Sequence, residues 1–194
     1  MSKKGFLLVT MQPPPAFEDE FNAWYDTEHV PERVAVPGFE SGRRYVCIDG
    51  FPKYLAMYDM THESILDTEG YMRVSGDRAS PWTKRVTSRV KVYRSIGEQI
   101  YPGDQVTVPA ARATLLRFAG APTSVVDAVI AGVRANFEGR DNTVQVRVFA
   151  YHVNGAVDYL ALVASRVPED VPLDMAPFGA AASYLDMVNA YALY

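Results

Sequence analysis

Residues 45–60, YVCIDGFPKYLAMYDM, align without gaps with residues 150–165, AYHVNGAVDYLALVAS. The identical positions are Gly50/Gly155, Tyr54/Tyr159, Leu55/Leu160 and Ala56/Ala161. In each segment a turn-forming pair, Asp49-Gly50 or Asn154-Gly155, separates two stretches rich in β-branched and aromatic residues. Such a pair between β-rich stretches is the strongest short-range signal for a hairpin. The alignment therefore predicts one hairpin at the same relative place in each half of the chain.

The elements predicted around the two hairpins also correspond. In the first half, an apolar strand at 6–11 precedes a helix from about Phe17, which carries apolar residues at helical spacing. After the hairpin, the pattern predicts a helical region at about 62–89 with a break at Ser75-Gly76-Asp77, and then a strand at 90–100. The first half is therefore predicted to have the order βαββαβ.

The second half follows the same order with shorter connections. A strand at 113–118 precedes a helix at 124–137 that has an apolar stripe and a Ser or Thr at its N-terminus. After the hairpin, a short helical stretch near 178–183 leads into a strand at 185–194. This half is therefore also predicted to be βαββαβ.

We expect an α+β fold made of two tandem ferredoxin-like βαββαβ units, a first unit at 1–101 and a second, degenerate unit at 111–194, joined by a linker at 102–110. An antiparallel sheet with helices on one face needs a partner on its other face. The two sheets are therefore expected to pair as an α+β barrel, with the barrel interior as the ligand cavity.

The composition excludes several classes of protein. The 194 residues include 19 Lys and Arg against 23 Asp and Glu, a net charge of −4, with 48% apolar and 22% charged residues. These values are typical of globular proteins, and they lack the basic surplus expected of a nucleic-acid-binding or membrane-surface protein. The single cysteine, Cys47, excludes an intrachain disulfide. We expect a soluble cytoplasmic protein that binds a small molecule, with neither nucleic acid nor membrane as a partner.

A paired tyrosine and histidine form the densest candidate site. Tyr25 and His29 are four residues apart and share a face of the first helix, which Pro31 is expected to end close to His29. The helix C-terminus and the nearby carboxylates of Asp26 and Glu28 favour the protonated imidazole. Such a group is suited to a general acid or a proton shuttle near neutral pH. The same pattern is also typical of a histidine that caps the last carbonyl groups of a helix.

The first half resembles a known superfamily. The motifs that carry the resemblance are Trp24-Tyr-Asp-Thr-Glu-His-Val-Pro31, Pro37-Gly-Phe39, Arg43-Arg-Tyr45, Lys53-Tyr-Leu-Ala-Met-Tyr58 and Ser80-Pro-Trp-Thr83. They resemble the dimeric α+β barrel superfamily, and within it the EthD-like branch and uncharacterised bacterial relatives. The superfamily includes muconolactone-type isomerases, polyketide cyclases, quinol-type monooxygenases, haem-degrading monooxygenases and haem peroxidases. The fold alone therefore does not select a reaction.

The resemblance implies that His29 faces the barrel cavity. The second half departs from the pattern, because its first helix at 124–137 has no histidine. We therefore expect one functional site per chain, with the second half as a closing wall, and a homodimer.

Two neighbouring arginines alternate along the strand at 39–48. Arg43 shares one face with Tyr45, and Arg44 lies on the other face. One of the two is expected to reach the cavity or its mouth and to bind a substrate carboxylate or phenolate. A solvated sheet edge is the alternative for each arginine.

Further candidates for contact with a substrate are also typical of core packing or of an exposed surface. They are Trp24, Tyr45, Tyr54, Tyr58, Trp82 and His152.

Three functions remain open from the sequence. The leading hypothesis is a cofactor-independent isomerase, cyclase, dehydratase or lyase acting on a small aromatic, lactone or polyketide-like substrate. His29 is the acid/base in this hypothesis, Tyr25 a hydrogen-bond donor and Arg43 the anion-binding residue. The second is a quinol-type or haem-dependent monooxygenase, and the third is a non-catalytic ligand-binding protein. The sequence has no Gly-x-Gly-x-x-Gly or Walker A loop and no metal-ligand spacing, so no metal is expected, whereas haem and flavin stay open.

Overall fold

The computed structural model describes residues 3–168 and 172–194 of the chain. Its eight strands are β1 (Gly5–Gln12), β2 (Phe39–Asp49), β3 (Tyr54–Met60), β4 (Lys91–Tyr101), β5 (Arg112–Phe118), β6 (Thr143–Val153), β7 (Ala156–Ser165) and β8 (Leu185–Leu193). They form one closed barrel in the order β1-β3-β2-β8-β5-β7-β6-β4, with β4 returning to β1. All eight strand pairs are antiparallel. The expected α+β barrel is therefore confirmed, and it closes within one chain.

Short helices cover the outside of the barrel. They are α1 (Glu18–Trp24), a π-helical turn (Tyr25–His29), α2 (Val30–Val34), α3 (Glu69–Met72), α4 (Pro81–Thr87) and α5 (Val126–Phe137). Further 3-10 turns span Pro15–Phe17, Glu63–Asp67, Gly76–Arg78, Thr123–Val125 and Ala176–Tyr184. No helix among the described residues is long and apolar enough to cross a membrane.

Both predicted hairpins are present. Strands β6 and β7 are joined by Asn154 and Gly155, whose φ angles of 50° and 81° are the two positive values that a type I′ turn requires. Strand β2 ends at Asp49, and Gly50 follows with a φ of 113°. The local turn chemistry therefore predicted both strand reversals.

Side chains alternate between the barrel interior and the helix-covered outer face. On β1, Phe6 and Leu8 belong to the interior cluster, and Leu7 and Val9 belong to the cluster under the helices. The interior holds large side chains from both halves, and the rings of Phe6 and Phe149 lie 4.7 Å apart. The interior is therefore a packed core at its middle, and open space inside the barrel lies at one end only among the described residues.

A buried ion pair closes one end of the barrel. Arg147 on β6 donates from Nη1 to Asp59 on β3 at 2.6 Å and from Nη2 to the Thr107 hydroxyl at 2.6 Å. The Thr107 backbone N–H donates to Asp59 Oδ2 at 2.7 Å, so the connecting segment is also fixed at this end. At the other end, a hollow of about 410 Å³ opens beside Leu8 and Tyr151.

The two outer faces are covered differently. In the second half, Val129 and Val133 of α5 and Phe118 and Phe178 are fully buried against the sheet. Helix α5 approaches so closely that a Cβ on Gly132 would lie 2.1 Å from the Phe178 ring. In the first half, the helices stand off the sheet and leave a cavity.

Candidate active site

The first-half cavity has a volume of about 470 Å³ and lies outside the barrel. Its floor is the outer face of β1, where Leu7, Val9 and Met11 are exposed to the cavity. Its walls are α1, the π-helical turn, α2, α3, α4 and the loop between α3 and α4. An apolar pocket with a few convergent polar groups is typical of a small-molecule site. The polar side chains that line it include Tyr25, His29, Arg33, Tyr58, Tyr71 and Arg94.

The helical chain does not end at His29 as predicted. Val30 is helical, with φ −65° and ψ −48°, and its N–H donates to the carbonyl oxygen of Tyr25, five residues back. Pro31 then occupies the first turn of α2, where its missing N–H is tolerated, and the helix continues to Val34. The prediction was wrong because an i→i+5 turn offered the chain a way past the proline. Such π turns are rare and occur often at functional sites.

The π turn places Trp24 and His29 against each other. Their rings, five residues apart in sequence, lie 4.3 Å apart at an angle of 33°, and the Tyr25 ring meets His29 edge-on at 5.0 Å. Trp24 Nε1 donates to the Thr83 hydroxyl at 3.0 Å, and that hydroxyl donates to Glu28 at 3.1 Å. The imidazole is therefore packed between two aromatic rings, and α4 is hydrogen-bonded to the helix that carries it.

His29 is electrostatically the reverse of what the sequence predicted. Burial, followed by the positive charges of Arg33, Arg94 and Arg44, lowers its pKa well below the ordinary value. Its Nδ1 atom is buried and has no hydrogen-bond partner among the described residues. The helix C-terminus that was expected to favour protonation is absent at this position, because α2 follows. His29 is therefore a neutral imidazole near pH 7.

Two tyrosines complete the polar wall beside His29. Tyr25 and Tyr58 are both about 1% exposed, and burial is the largest cause of their raised pKa values. The two phenols also interact with each other, and this interaction contributes to the raised pKa of Tyr58. Both phenols therefore stay protonated near neutral pH and are available as hydrogen-bond donors.

Arg44 supports Tyr25 from behind. Its guanidinium carbon lies 4.5 Å from the centre of the Tyr25 ring and 4.1 Å from that of Tyr194. It donates to Asn22 Oδ1 at 2.6 Å and forms an ion pair with Asp26. Asn22 and Asp26 therefore hold Arg44 in place, and Arg44 in turn positions the Tyr25 ring.

The remaining predicted residues lie elsewhere. Arg43 is exposed on the barrel-facing side of β2, and Tyr45 is in the barrel interior. Tyr54 accepts a hydrogen bond from Asn22 at 3.0 Å beneath α1 and donates one to Glu18, while Trp82 donates to Glu20 at 3.2 Å. His152 is exposed on β6, and Cys47 lies at the edge of the interior cluster. The structure therefore brings together Trp24, Tyr25, His29 and Tyr58, with Arg44 behind Tyr25, and places Arg43, Tyr45, Tyr54, Trp82 and His152 outside the lining of this cavity.

Sequence reasoning missed the two cavity arginines and the tyrosine between them. Arg33 lies beyond the predicted helix end, and Arg94 is on β4, on the face that also bears Val92. Tyr71 is on α3 and contacts both arginines. Alternation along β4 was a usable signal for Arg94, because it places this cation on the same strand face as Val92 and Ile96. For Arg33 the signal was hidden by the misplaced helix end.

Comparisons with known proteins are informative about the fold. No protein-family model and no curated protein sequence matches the chain. A crystal structure of an anthrone oxidase-like protein has a TM-score of 0.70 and 12% identity, covering 100% of this chain and 92% of that one. A putative monooxygenase from Lactobacillus acidophilus NCFM gives 0.60 and 8%, covering 100% and 94%. A mutant chlorite dismutase from Candidatus Nitrospira defluvii gives 0.55 and 10%, covering 100% and 91%. At these identities the likeness shows the α+β barrel fold.

Proposed function

We propose that this chain is a small-molecule enzyme in which neutral His29 acts as a general base on a flat aromatic or polyketide-like substrate bound in the first-half cavity. The observation that carries the proposal is the His29 imidazole itself, which lines a cavity of about 470 Å³ and whose Nδ1 is buried without a hydrogen-bond partner among the described residues. A buried polar atom with no partner is uncommon in a folded protein and is frequent at functional sites.

The proposed step is proton abstraction from an acidic C–H or O–H bond. The imidazole nitrogen takes the proton, and the electron pair stays on the substrate as an enolate or phenolate. The charges of Arg33 and Arg94, which disfavour the imidazolium before the reaction, stabilise this anion as it forms. Tyr25 and Tyr58 supply neutral hydrogen-bond donors on the same wall. Return of the proton to a different carbon gives isomerisation. Attack of the enolate carbon on a carbonyl of the same substrate, with the proton passed to the new alkoxide, gives cyclisation, and expulsion of a β leaving group that takes the proton gives elimination.

The experiment is hydrogen–deuterium exchange at the acidic methylene of anthrone, followed by NMR in D₂O. Anthrone is flat and its methylene ionises to an enolate, so it is a reasonable probe of the base even if it is not the natural substrate. General-base catalysis typically contributes about 100-fold or more, so the wild-type protein is expected to accelerate exchange by that order. His29→Gln is expected to lose most of the acceleration.

The matched control is His152→Gln, because His152 is exposed on β6, away from the cavity. It is expected to exchange anthrone at the wild-type rate. Exchange by His29→Gln at the wild-type rate would contradict the role of the base.

A second candidate function, oxidation, is favoured by the names of two neighbours, an anthrone oxidase-like protein and a putative monooxygenase. The same deprotonation yields an electron-rich anion that can react with O₂, and an oxygen electrode separates this outcome from simple exchange. His29 also fits an axial haem ligand in one respect, since a neutral imidazole is the form that binds metals. A Soret band in protein expressed with haem supply would support haem binding there.

We also propose that the halves are tandem ferredoxin-like units of the EthD-like kind. The strand order β4-β1-β3-β2 in the first half and β8-β5-β7-β6 in the second supports equivalent units. We retain a cytoplasmic homodimer as a further proposal. Light scattering after size exclusion tests the dimer, and a mass near 21.5 kDa would contradict it.

A further inference from the structure

We propose that the ligand of the first-half cavity is an aromatic carboxylate, and that Arg33 and Arg94 bind its carboxylate group. This inference rests on the function proposed above, because it names the substrate class of the same cavity.

Arg33 and Arg94 converge on one tyrosine. The guanidinium carbon of Arg33 lies 5.0 Å from the centre of the Tyr71 ring, and Arg94 Nη2 donates to the Tyr71 hydroxyl at 2.6 Å. Arg33 also donates to the carbonyl oxygen of Val74 at 2.6 Å, and it is only 5% exposed. Two like charges are therefore held near each other by neutral oxygens and an aromatic ring.

The cavity supplies these charges with no counter-ion. Among the described residues that line it there are three cations, Arg33, Lys84 and Arg94, and no Asp or Glu. Lys84 is exposed and donates to the carbonyl oxygen of Asp77 at 2.5 Å. Arg33 is buried, whereas Arg94 is exposed at the cavity, and a buried charge is costly unless it is paired. Arg33 in particular therefore favours an anion from outside the chain.

Other arginines of the same chain show the contrast. Arg147 is paired with Asp59, Arg44 with Asp26, and Arg117 forms two hydrogen bonds with Asp186. These three arginines are each paired with a carboxylate, whereas Arg33 and Arg94 donate only to neutral oxygens among the described residues. The missing carboxylate at that cavity is the group that we assign to the ligand.

The rest of the cavity defines the body of the ligand. The floor is aliphatic, and the rings of Trp24, Tyr25 and Tyr58 line the wall. Aromatic walls favour a flat ring system, and the planar guanidinium group matches the geometry of a planar carboxylate. A volume of about 470 Å³ is within the range of sites for drug-sized ligands.

The test compares 2-naphthoate with its neutral isostere 2-naphthamide, by isothermal titration of the full chain. Charge-assisted hydrogen bonds predict that the amide binds about 10- to 100-fold more weakly. Arg94→Gln is expected to weaken naphthoate binding by a similar factor and to leave naphthamide unchanged. Arg117→Gln is the matched control, because Arg117 is a strand arginine outside this cavity, and it is expected to bind both probes as the wild type does.

A second readout uses the imidazole resonances. The chain has three histidines, of which His62 and His152 are exposed and serve as internal references. Naphthoate beside the arginines is expected to raise the pKa of His29 in an NMR titration, and Arg94→Gln is expected to raise it without ligand. Naphthamide is expected to leave it in place.

Equal affinities for naphthoate and naphthamide, or no binding of naphthoate at millimolar concentration, would overturn the inference. So would a naphthoate preference that survives Arg94→Gln while the His29 resonances stay unchanged. These outcomes are independent of anthrone exchange. If the protein prefers naphthoate but shows no His29-dependent exchange of anthrone, His29 is not the proposed base, and the proposal of the anion site is still supported.

Discussion

The two halves of the barrel share a strand order and differ in what lies between sheet and helices. In the second half α5 is an uninterrupted helix of 12 residues, and Phe178 fills the space above the sheet. In the first half the helix is divided by a π turn, and the corresponding layer contains a cavity with His29 on its wall. The same strand order therefore supports either close packing or a polar pocket, depending on how the helices pack against the sheet.

The largest effect on stability is expected from removing a large side chain from the packed second half. Phe178 is fully buried and contacts α5 at Gly132, so Phe178→Ala leaves a void under the helix. We expect a loss of about 3–5 kcal/mol in the free energy of unfolding, measured by urea denaturation. Phe51→Ala is the control, since Phe51 is 57% exposed, and it is expected to change stability little. A loss below about 1 kcal/mol in Phe178→Ala would show that the second half repacks freely.

A smaller effect is expected from pushing the same helix outward. A Cβ on Gly132 would lie 2.1 Å from the Phe178 ring, so Gly132→Ala forces the helix or the ring to move. We expect a loss of about 1–3 kcal/mol despite the better helix propensity of alanine. Adding Phe178→Leu is expected to recover part of this loss, and a strictly additive double variant would argue against the clash.

The buried His29 of the first half is expected to make the stability of the protein depend on pH. The folded pKa of His29 lies below its unfolded value, so between the two pKa values the unfolded chain binds more protons. His29 therefore makes stability fall as the pH is lowered below about 6.5, by at most about 1.4 kcal/mol per pH unit. His29→Gln is expected to flatten this part of the profile, whereas His62→Gln, at an exposed position, is expected to keep it. Identical profiles for both variants would contradict the burial of a neutral His29.

The smallest effect on stability is expected from partly filling the first-half cavity. Ala79 lines the first-half cavity and is 8% exposed, so Ala79→Met places a flexible apolar side chain into existing space. Stability is expected to stay within about 1 kcal/mol of the wild type. Binding of 2-naphthoate is expected to weaken about tenfold or more, and unchanged affinity would place the ligand outside this cavity.

Local patterns in the sequence were sufficient for the fold. The Asn154-Gly155 pair fixed one strand reversal, and the alternation of β1 separated Leu7 and Val9 from Phe6 and Leu8. Such signals depend on a few neighbouring residues, and therefore they can be interpreted without a structure.

The site required information that no local pattern contains. The π turn arose where the standard rule for Pro31 predicted a helix end, and it set the distance between Trp24 and His29. Arg33 and Arg94 are 61 positions apart in the numbering and meet only through Tyr71. Burial is the largest cause of the lowered pKa of His29, and both arginines add to it, so the direction of this pKa shift could not be predicted from the helix alone.

The ion pair that closes one barrel end has a consequence for how the chain acquires its structure. Asp59 and Arg147 are 88 residues apart, and both are about 1% exposed. Until β6 has been synthesised, the carboxylate of Asp59 lacks the positive charge that pairs with it, and the inner face of the first sheet has no cover. Long-range contacts of this kind slow folding and couple distant segments into one transition. We therefore expect that neither half folds independently. Transfer of the cavity to another protein would then require both halves of the barrel.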